Sequence, residues 1–308
     1  MHNTGISGFR GFFILWFGQF ISLVGSSMTR FALTIWAYQE TQSALALALV
    51  AVFSFGPSVI FSPVAGAMVD RWNRKVVMAA SDLIAGFSTI LLLVLFNTGE
   101  LAIWHLYIVG FIASTADAFQ FPAFSAAVTM MVDKKHYARA SGMRSLAQFA
   151  SSTAAPLFGG IALAAIGLRG VFLIDIVTFV FAVGALFIIN IPQPKQTADG
   201  VAARGSLWFE SMYGFRYIKE RPPLLGMQLI FMMSNLFFVM TTVTLAPMIL
   251  AKTNNDEILF GVVQSVMGIG GIAGGMLISL WGGPQRRVHG VFLGMAGTGL
   301  LGSVVIGL

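Results

Sequence analysis

The sequence predicts an all-α integral membrane protein, a bundle of spanning helices arranged in two unequal halves. Three observations lead there. Hydrophobic residues make up 57% of the 308, and the mean hydropathy is +0.84. A compact soluble core saturates with size, so that much apolar surface calls for lipid as its solvent. The apolar residues also fall into nine segments of spanning length, about 20 residues or more being needed to cross hydrocarbon. Finally, an N-terminus in the cytoplasm puts fifteen of the 18 Lys and Arg on cytoplasmic flanks, leaving only Arg30, Arg169 and Lys252 toward the outside. The positive-inside rule then sets a multi-pass topology in the cell (inner or plasma) membrane.

The first span, 12–37, is too long for a signal-peptide core and lacks a small-residue cleavage site after it. It carries Gln19, Ser22, Ser26 and Arg30 at intervals of three, four and four, which is one helical face. Spans 2 (43–68) and 3 (76–96) flank "VAGAMVDRWNRKVV", where Asp70, Arg71, Arg74 and Lys75 crowd into six residues of a chain that is only 10% charged. Span 3 contains Asp82. Span 4 (101–122) contains Asp117 in a helically spaced stripe with Tyr107, Ser114 and Phe121. Span 5 (141–166) carries Arg144 near its start, and span 6 (171–191) carries Asp175. The polar stretch that follows reads as a linker, 193–223, with an amphipathic surface segment at Trp208, Phe209, Tyr213, Phe215 and Tyr217.

That linker divides a six-span half, 1–192, from a partial half, 224–308, holding spans 7 (224–250), 8 (258–281) and 9 (288–308). Span 7 repeats a polar residue every seven positions, at Gln228, Asn235 and Thr242, beside the Met- and Phe-rich run "LIFMMSNLFFVM". An offset of 212 residues lays Arg74-Lys75 on Arg286-Arg287 and the start of span 1 on the start of span 7. Duplicated six-helix halves enclosing a site are a transporter architecture. With three spans in its second half, the chain reads as C-terminally truncated relative to a twelve-span design.

Ionisable groups inside spans are costly, about 2.5–3.5 kcal/mol each at mid-bilayer, so each needs a partner or a wet cavity. Counting helical rise puts Asp82, Asp117 and Arg144 in the cytoplasmic third and Arg30 and Asp175 near the outer face. One reading is structural ion pairs, with Arg30 and Arg144 as the charge partners. The other is protonatable carboxylates that titrate as a cavity switches sides, Asp117 first, then Asp82 and Asp175. The polar faces of spans 1 and 7 are either interhelical glue or the lining of a substrate path.

The remaining signals mostly exclude functions. "MGIGGIAGGM" at 267–276 fits a dinucleotide fingerprint in letters only, since it lies inside an apolar span. Gly270/Gly274 and Gly271/Gly275 read instead as small-residue packing pairs. His2, His105, His136 and His289 are isolated, there is no Walker lysine, and there are no cysteines. No enzyme, cofactor or metal site is expected, and the scattered basic residues are membrane anchors rather than a nucleic-acid surface. The expected partners are a small-molecule substrate, protons and the lipid bilayer, with the chain acting as a monomer.

"GAMVDRWNRK" resembles the loop 2–3 signature of the major facilitator superfamily. Gly66, Asp70, Arg71, Arg74 and Lys75 occupy its marked positions, and Asn73 stands where Gly is usual. "APLFGG" is similar to the end of the antiporter motif, with Pro156, Gly159 and Gly160 matching and Ala155 replacing Gly. "WFGQFISLVGS", "TQSA", "FPAF" and "FLIDIVTF" resemble the macrolide-efflux and siderophore-exporter branch. The span 4 Arg of many antiporters is Ala113 here. The resemblance implies a rocking two-half carrier that exports small hydrophobic or amphipathic compounds in exchange for protons. It also implies that Asp70 is a latch meeting the opposite half. The alternatives are a solute symporter or importer, or a truncated membrane protein that does not transport.

Overall fold

The computed structural model describes residues 8–192 and 216–281. The helical bundle expected from the sequence is observed, and among the described residues it holds seven long helical stretches besides a single turn at 216–219. They are α1 (Gly8–Thr41), α2 (Ala44–Arg71), α3 (Arg74–Thr98), α4 (Ile103–Met131), α5 (Tyr137–Ile188), α6 (Pro222–Lys252) and α7 (Glu257–Trp281), with a 3-10 turn at Lys134–His136. Each of the first eight expected spans lies on a helix. Span 9, Arg286-Arg287, and all of the amphipathic segment but Tyr217 lie outside the described residues. Among the described residues, five helical stretches are long and apolar enough to cross a membrane.

The helix boundaries follow local chemistry. Ser43 caps α2, accepting the Ala46 amide, and Asn73 caps α3, accepting the amides of Lys75 and Val76. Such caps satisfy backbone donors that the first helical turn leaves orphaned. This is the work of the Asn that replaces Gly in the loop signature. At the start of α4, His105 Nδ1 accepts the Ala102 amide at 3.0 Å. Gly99 closes α3 at φ 75°, ψ 12°, a left-handed position suited to glycine. Span 4 was expected to end at 122, but α4 continues to Met131. Pro122 removes one amide donor, a loss that a membrane helix tolerates.

α5 is a hairpin. Its 52 residues would reach about 78 Å if straight, against a hydrocarbon core of roughly 30 Å. It folds back at Gly167, where φ 67° and ψ 177° fall in a region open essentially only to glycine. The two arms, 137–166 and 168–188, then sandwich α1. Along the first arm, Trp16 Nε1 donates to the Met143 carbonyl at 2.9 Å, and Ser151 Oγ donates to the Leu23 carbonyl at 3.2 Å. Along the second, Gly18 and Gly25 face Ala185 and Thr178. A Cβ at Gly167 would meet nothing within 4 Å, so the constraint there is purely conformational. Gly167→Ala is therefore expected to cost about 1–3 kcal/mol in thermal or denaturant unfolding. Gly184→Ala, in open helical surroundings, should be neutral or stabilising by up to about 1 kcal/mol.

The remaining helices pack on this frame. α2 runs parallel to α4, joined where the Ser58 amide, next to Pro57, donates to Ser114 Oγ at 3.1 Å. α3 lies between α4 and the second arm of α5, with Ser81 Oγ donating to the Ala116 carbonyl at 3.1 Å. One apolar cluster around Phe31, Ile35, Phe172, Leu245, Leu250 and Phe260 fills the end near Thr41 and Glu257, called the far end below. A second, around Phe12, Leu15, Met78, Leu186 and Ile189, fills the loop end.

Candidate functional site

The polar residues of the spans sort into two buried carboxylate clusters, an exposed pair of Arg30 and Asp117, and a seam between the halves. In the first cluster, Asp82 of α3 is nearly fully buried. Its Oδ2 accepts Gln19 Nε2 of α1 at 2.7 Å, and its Oδ1 accepts Gln120 Nε2 of α4 at 2.8 Å. Gln120 Nε2 also donates to Gln19 Oε1 at 3.0 Å. Gln120 Oε1 is buried without a partner among the described residues. In the second cluster, Asp175 is 3% exposed. Its Oδ1 accepts Ser26 Oγ of α1 and its Oδ2 accepts Thr89 Oγ1 of α3, both at 2.9 Å.

Among the described residues, the expected ion pairs are not there. Arg30 is exposed and donates to Ser27 Oγ at 2.9 Å. Arg144 donates to Ser125 Oγ at 2.8 Å and lies 3.8 Å over the Phe121 ring. The described residues supply Asp82 and Asp175 with neutral donors instead. Burying a guanidinium beside a carboxylate adds a second desolvation cost, whereas amides and hydroxyls bring donors without a charge.

Asp117 is also placed differently from expectation. It sits at the middle of α4 rather than in its loop-end third, because the helix runs past Pro122. It is exposed. The Arg30 guanidinium stands within electrostatic reach of Asp117 and of Asp175, without contact. Of the polar face on α1, Gln19 and Ser26 turn into the helix packing, and Ser22 is half-buried. On α6, Gln228 and Asn235 are exposed and Thr242 is half-buried. Asn235 and Thr242 donate to the Phe231 and Phe238 carbonyls of their own helix, each at 2.9 Å.

The antiporter-type motif lies at a seam. Ideal Cβ atoms at Gly160 and Gly261 would stand 2.7 Å from the Glu257 carbonyl oxygen and 2.6 Å from the Pro156 carbonyl oxygen, and a Cβ at Gly268 would collide with Thr153. Ser265 Oγ donates to the Thr153 carbonyl at 2.6 Å. Gly159 faces Phe31 and Met28 of α1. The motif thus joins α5 to α1 on one side and to α7 on the other. On α7 the packing stripe is Gly261, Ser265 and Gly268 rather than the expected Gly270 pair, since Gly270 faces open space. Gly271, Gly274 and Gly275 lie where side chains are outside the described residues. Spacing alone leaves the packing face of so glycine-rich a helix undecided. Near the seam, the Phe31 and Phe260 rings stack at 5.0 Å and Gln39 Nε2 donates to Glu257 Oε1 at 3.1 Å.

The loop end looks different. α6 is largely exposed from Pro222 to Thr241 and buries Leu245, Ala246, Ile249 and Leu250 only near its far end. Gly66 has open space around it. The Asp70 carboxylate is exposed and bonds to none of the described residues, while its carbonyl accepts Arg74 at 3.3 Å. Lys75 Nζ donates to the Ile189 carbonyl at 2.6 Å and to the Phe187 carbonyl at 3.3 Å. A cation at a helix C-terminus satisfies orphan carbonyls and favours the helix dipole, so Lys75 ties the loop to the end of α5. Sequence spacing did not signal that pairing, nor the roles of Gln120, Thr89 and Ser265.

Comparison with known proteins points one way. A family model described as Major Facilitator Superfamily matches residues 15–308. The macrolide efflux protein A of Streptococcus pyogenes is 27% identical over 280 residues, covering 90% of this chain and 68% of that protein. The protein of the same name from Enterococcus faecalis is 27% identical over 249 residues, 80% of this chain and 75% of that one. Among solved structures, a bacterial homologue of the human lysosomal transporter Spinster, inward-facing and unoccupied, superposes with a TM-score of 0.65 at 17% identity. That match covers 89% of this chain and 64% of the other.

Proposed function

The chain belongs to the major facilitator superfamily, and on that footing we propose that it exports small hydrophobic or amphipathic compounds, of the macrolide kind, in exchange for protons. The substrate class is carried over from the macrolide efflux proteins to which the chain is similar over 90% of its length. The observation that supports the mechanism is the seam at the far end, where α7 is locked on α5 through Gly160, Gly261, Ser265 and Gly268, with backbone approaching backbone. A carrier that works by alternating access needs a seam of this kind to seal one side while the other opens.

The loop end lies in the cytoplasm in this reading, because the basic residues flank it, so the seam seals the outer side. Coupling to protons rests on the carboxylates inside the six-span half, of which Asp82 and Asp175 are held without a cation. The test is uptake of a macrolide into proteoliposomes bearing an imposed pH gradient. We expect accumulation above the equilibrium level that collapses on adding a protonophore. Uptake that ignores the gradient, or none across a panel of macrolides, dyes and siderophores, would overturn the proposal.

A further inference from the structure

The loop-end half of α1 carries an aromatic strip that neither the seam nor the acid clusters use. Phe13, Phe17 and Phe20 recur at intervals of four and three, which is one helical face. The Phe13 and Phe17 rings are parallel within 6° at 6.3 Å between centroids, and those of Trp16 and Phe20 within 8° at 5.6 Å. Phe13 and Phe17 remain 48% and 49% exposed. The two neighbours of Phe17 fix where it points. Trp16 bonds to Met143 on the first arm of α5, and Gly18 faces Ala185 on the second. Phe17 therefore looks out between the arms. At 3.6 residues per turn it also points roughly 160° away from Gln19, which turns inward to Asp82 and Gln120. The strip faces out of the six-span half, toward lipid.

A cationic rim closes the loop end of this strip. Arg10 is exposed on the same side of α1, three residues before Phe13 and seven before Phe17. The Arg139 guanidinium of α5 lies 4.8 Å over the Phe9 ring, and the His136 ring stands 5.5 Å from that same ring. Phe9 thus brings the turn at Lys134–His136 and the first turn of α5 up to the start of α1. Arg10, Lys134, Lys135 and Arg139 are all exposed. Among the described residues, the ion pairing of this rim is limited to Lys135 with Asp133, at 3.9 Å.

We propose that this surface binds an anionic phospholipid, with its phosphate between Arg10 and Arg139 and one acyl chain along Phe13 and Phe17. Charge complementarity selects the occupant. A neutral lipid leaves the cations unanswered, and a soluble anion leaves the aromatic strip bare. The lengths agree as well. Arg10 and Phe20 are ten residues apart, about 15 Å of helix, which is roughly half of a hydrocarbon core of about 30 Å. The strip thus runs from headgroup level to the midplane of one leaflet. With the loop end cytoplasmic, as in the reading above, that is the leaflet whose anionic lipids attract cations beside the membrane. Arg10 belongs to α1 and Arg139 to α5, so a single headgroup bridges the two helices and steadies their loop end.

The test is thermal unfolding of the full chain in neutral detergent micelles, titrated with dioleoylphosphatidylglycerol, dioleoylphosphatidylcholine or glycerol 3-phosphate. A lipid that binds the folded chain raises Tm by mass action. The anionic lipid should raise it along a saturating curve, and the other two should leave it unchanged. Arg10→Gln and Arg139→Gln should each raise the half-saturating lipid fraction about fivefold, the ratio that matches roughly 1 kcal/mol per charge at an anionic surface. Arg216→Gln combined with Lys219→Gln removes two cations outside the rim and should leave the curve intact. With bromine on its acyl chains, the anionic lipid should quench tryptophan fluorescence along the same curve, and Trp16→Phe should remove that component. An equal response to phosphatidylcholine or to glycerol 3-phosphate overturns the assignment, as does a curve shifted as far by the Arg216 and Lys219 changes. Quenching that is unaltered in Trp16→Phe also overturns it, since the strip is then covered by another segment of the chain. None of these readouts involves transport, so a failed macrolide assay and a failed lipid titration are told apart.

Discussion

Replacing Gly261 with leucine is expected to reduce transport to the background of empty liposomes while leaving the chain folded. The Cβ that leucine brings would stand 2.6 Å from the Pro156 carbonyl oxygen, 3.2 Å from its carbonyl carbon and 3.5 Å from Leu157 Cα. All three neighbours are backbone, so no rotamer change makes room. α5 and α7 would have to separate by roughly 1 Å to restore ordinary contact, before the rest of the side chain is accommodated. That gap opens beside the Phe31–Phe260 stack and the Ser265–Thr153 bond, the contacts that close the far end. The six-span half keeps its own frame in the contacts of α1 with the two arms of α5, at Met143, Ser151, Thr178 and Ala185, and Gly261 takes part in none of these, so folding survives.

A labelling experiment separates lost sealing from lost protein. The chain contains no cysteine, so Ser265→Cys introduces a single thiol at a buried seam position. A membrane-impermeant maleimide added from the far side should leave that thiol unlabelled in an otherwise native chain and should modify it when Gly261→Leu is also present. Gly270→Leu is the control, since that glycine faces open space on the same helix. Normal transport by Gly261→Leu, or a thiol that stays protected, would mean that the seam is not the seal.

The seam and the acid clusters show where sequence reading stops. Apolar run length and the side of each lysine and arginine placed the helices, because hydrocarbon thickness and charge placement act locally along the chain. The loop signature likewise pointed to a loop that works, and Asn73 and Lys75 proved to be capping residues of α3 and α5. Partner choice is not local. Gln19, Asp82 and Gln120 are far apart in sequence and meet only once α1, α3 and α4 are packed. Pairing acids with the nearest cations by depth favoured Arg30 and Arg144, whereas packing supplied neutral amides and hydroxyls. The end of α4 was misjudged for a related reason. The apolar run thins after Pro122, but α4 continues to Met131, since a helix is not confined to its spanning segment and a membrane helix tolerates a proline.

Leucine at Gly25 is expected to have the larger effect on folding, preventing assembly of the six-span half rather than blocking its cycle. Gly25 sits one face along from Gly18, and together they let α1 lie directly on the second arm of α5. At Gly18 an added Cβ would stand 2.8 Å from Ala185 Cβ and 3.4 Å from Ala182 Cα. At Gly25 it would overlap Thr178 Oγ1 and come within 3.2 Å of Asp175 Oδ1. In lipid, close approach of this kind is a main source of helix association, since apolar side chains gain little by leaving hydrocarbon for each other. Pushing α1 away forfeits those contacts. It also draws Ser26 off Asp175, leaving a buried carboxylate short of a donor, an error that costs about 1–3 kcal/mol or more beyond the overpacking itself. The first arm of α5 is already against the other side of α1 at Ser151 and Gly159, so α1 has nowhere to retreat. The expected result is a sharp drop in monodisperse protein on size exclusion and in thermal stability. Gly25→Ala should fall between it and wild type, and Gly184→Leu should leave both unchanged. A Gly25→Leu protein that is produced and melts like wild type would show that α1 does not pack on α5 in this way.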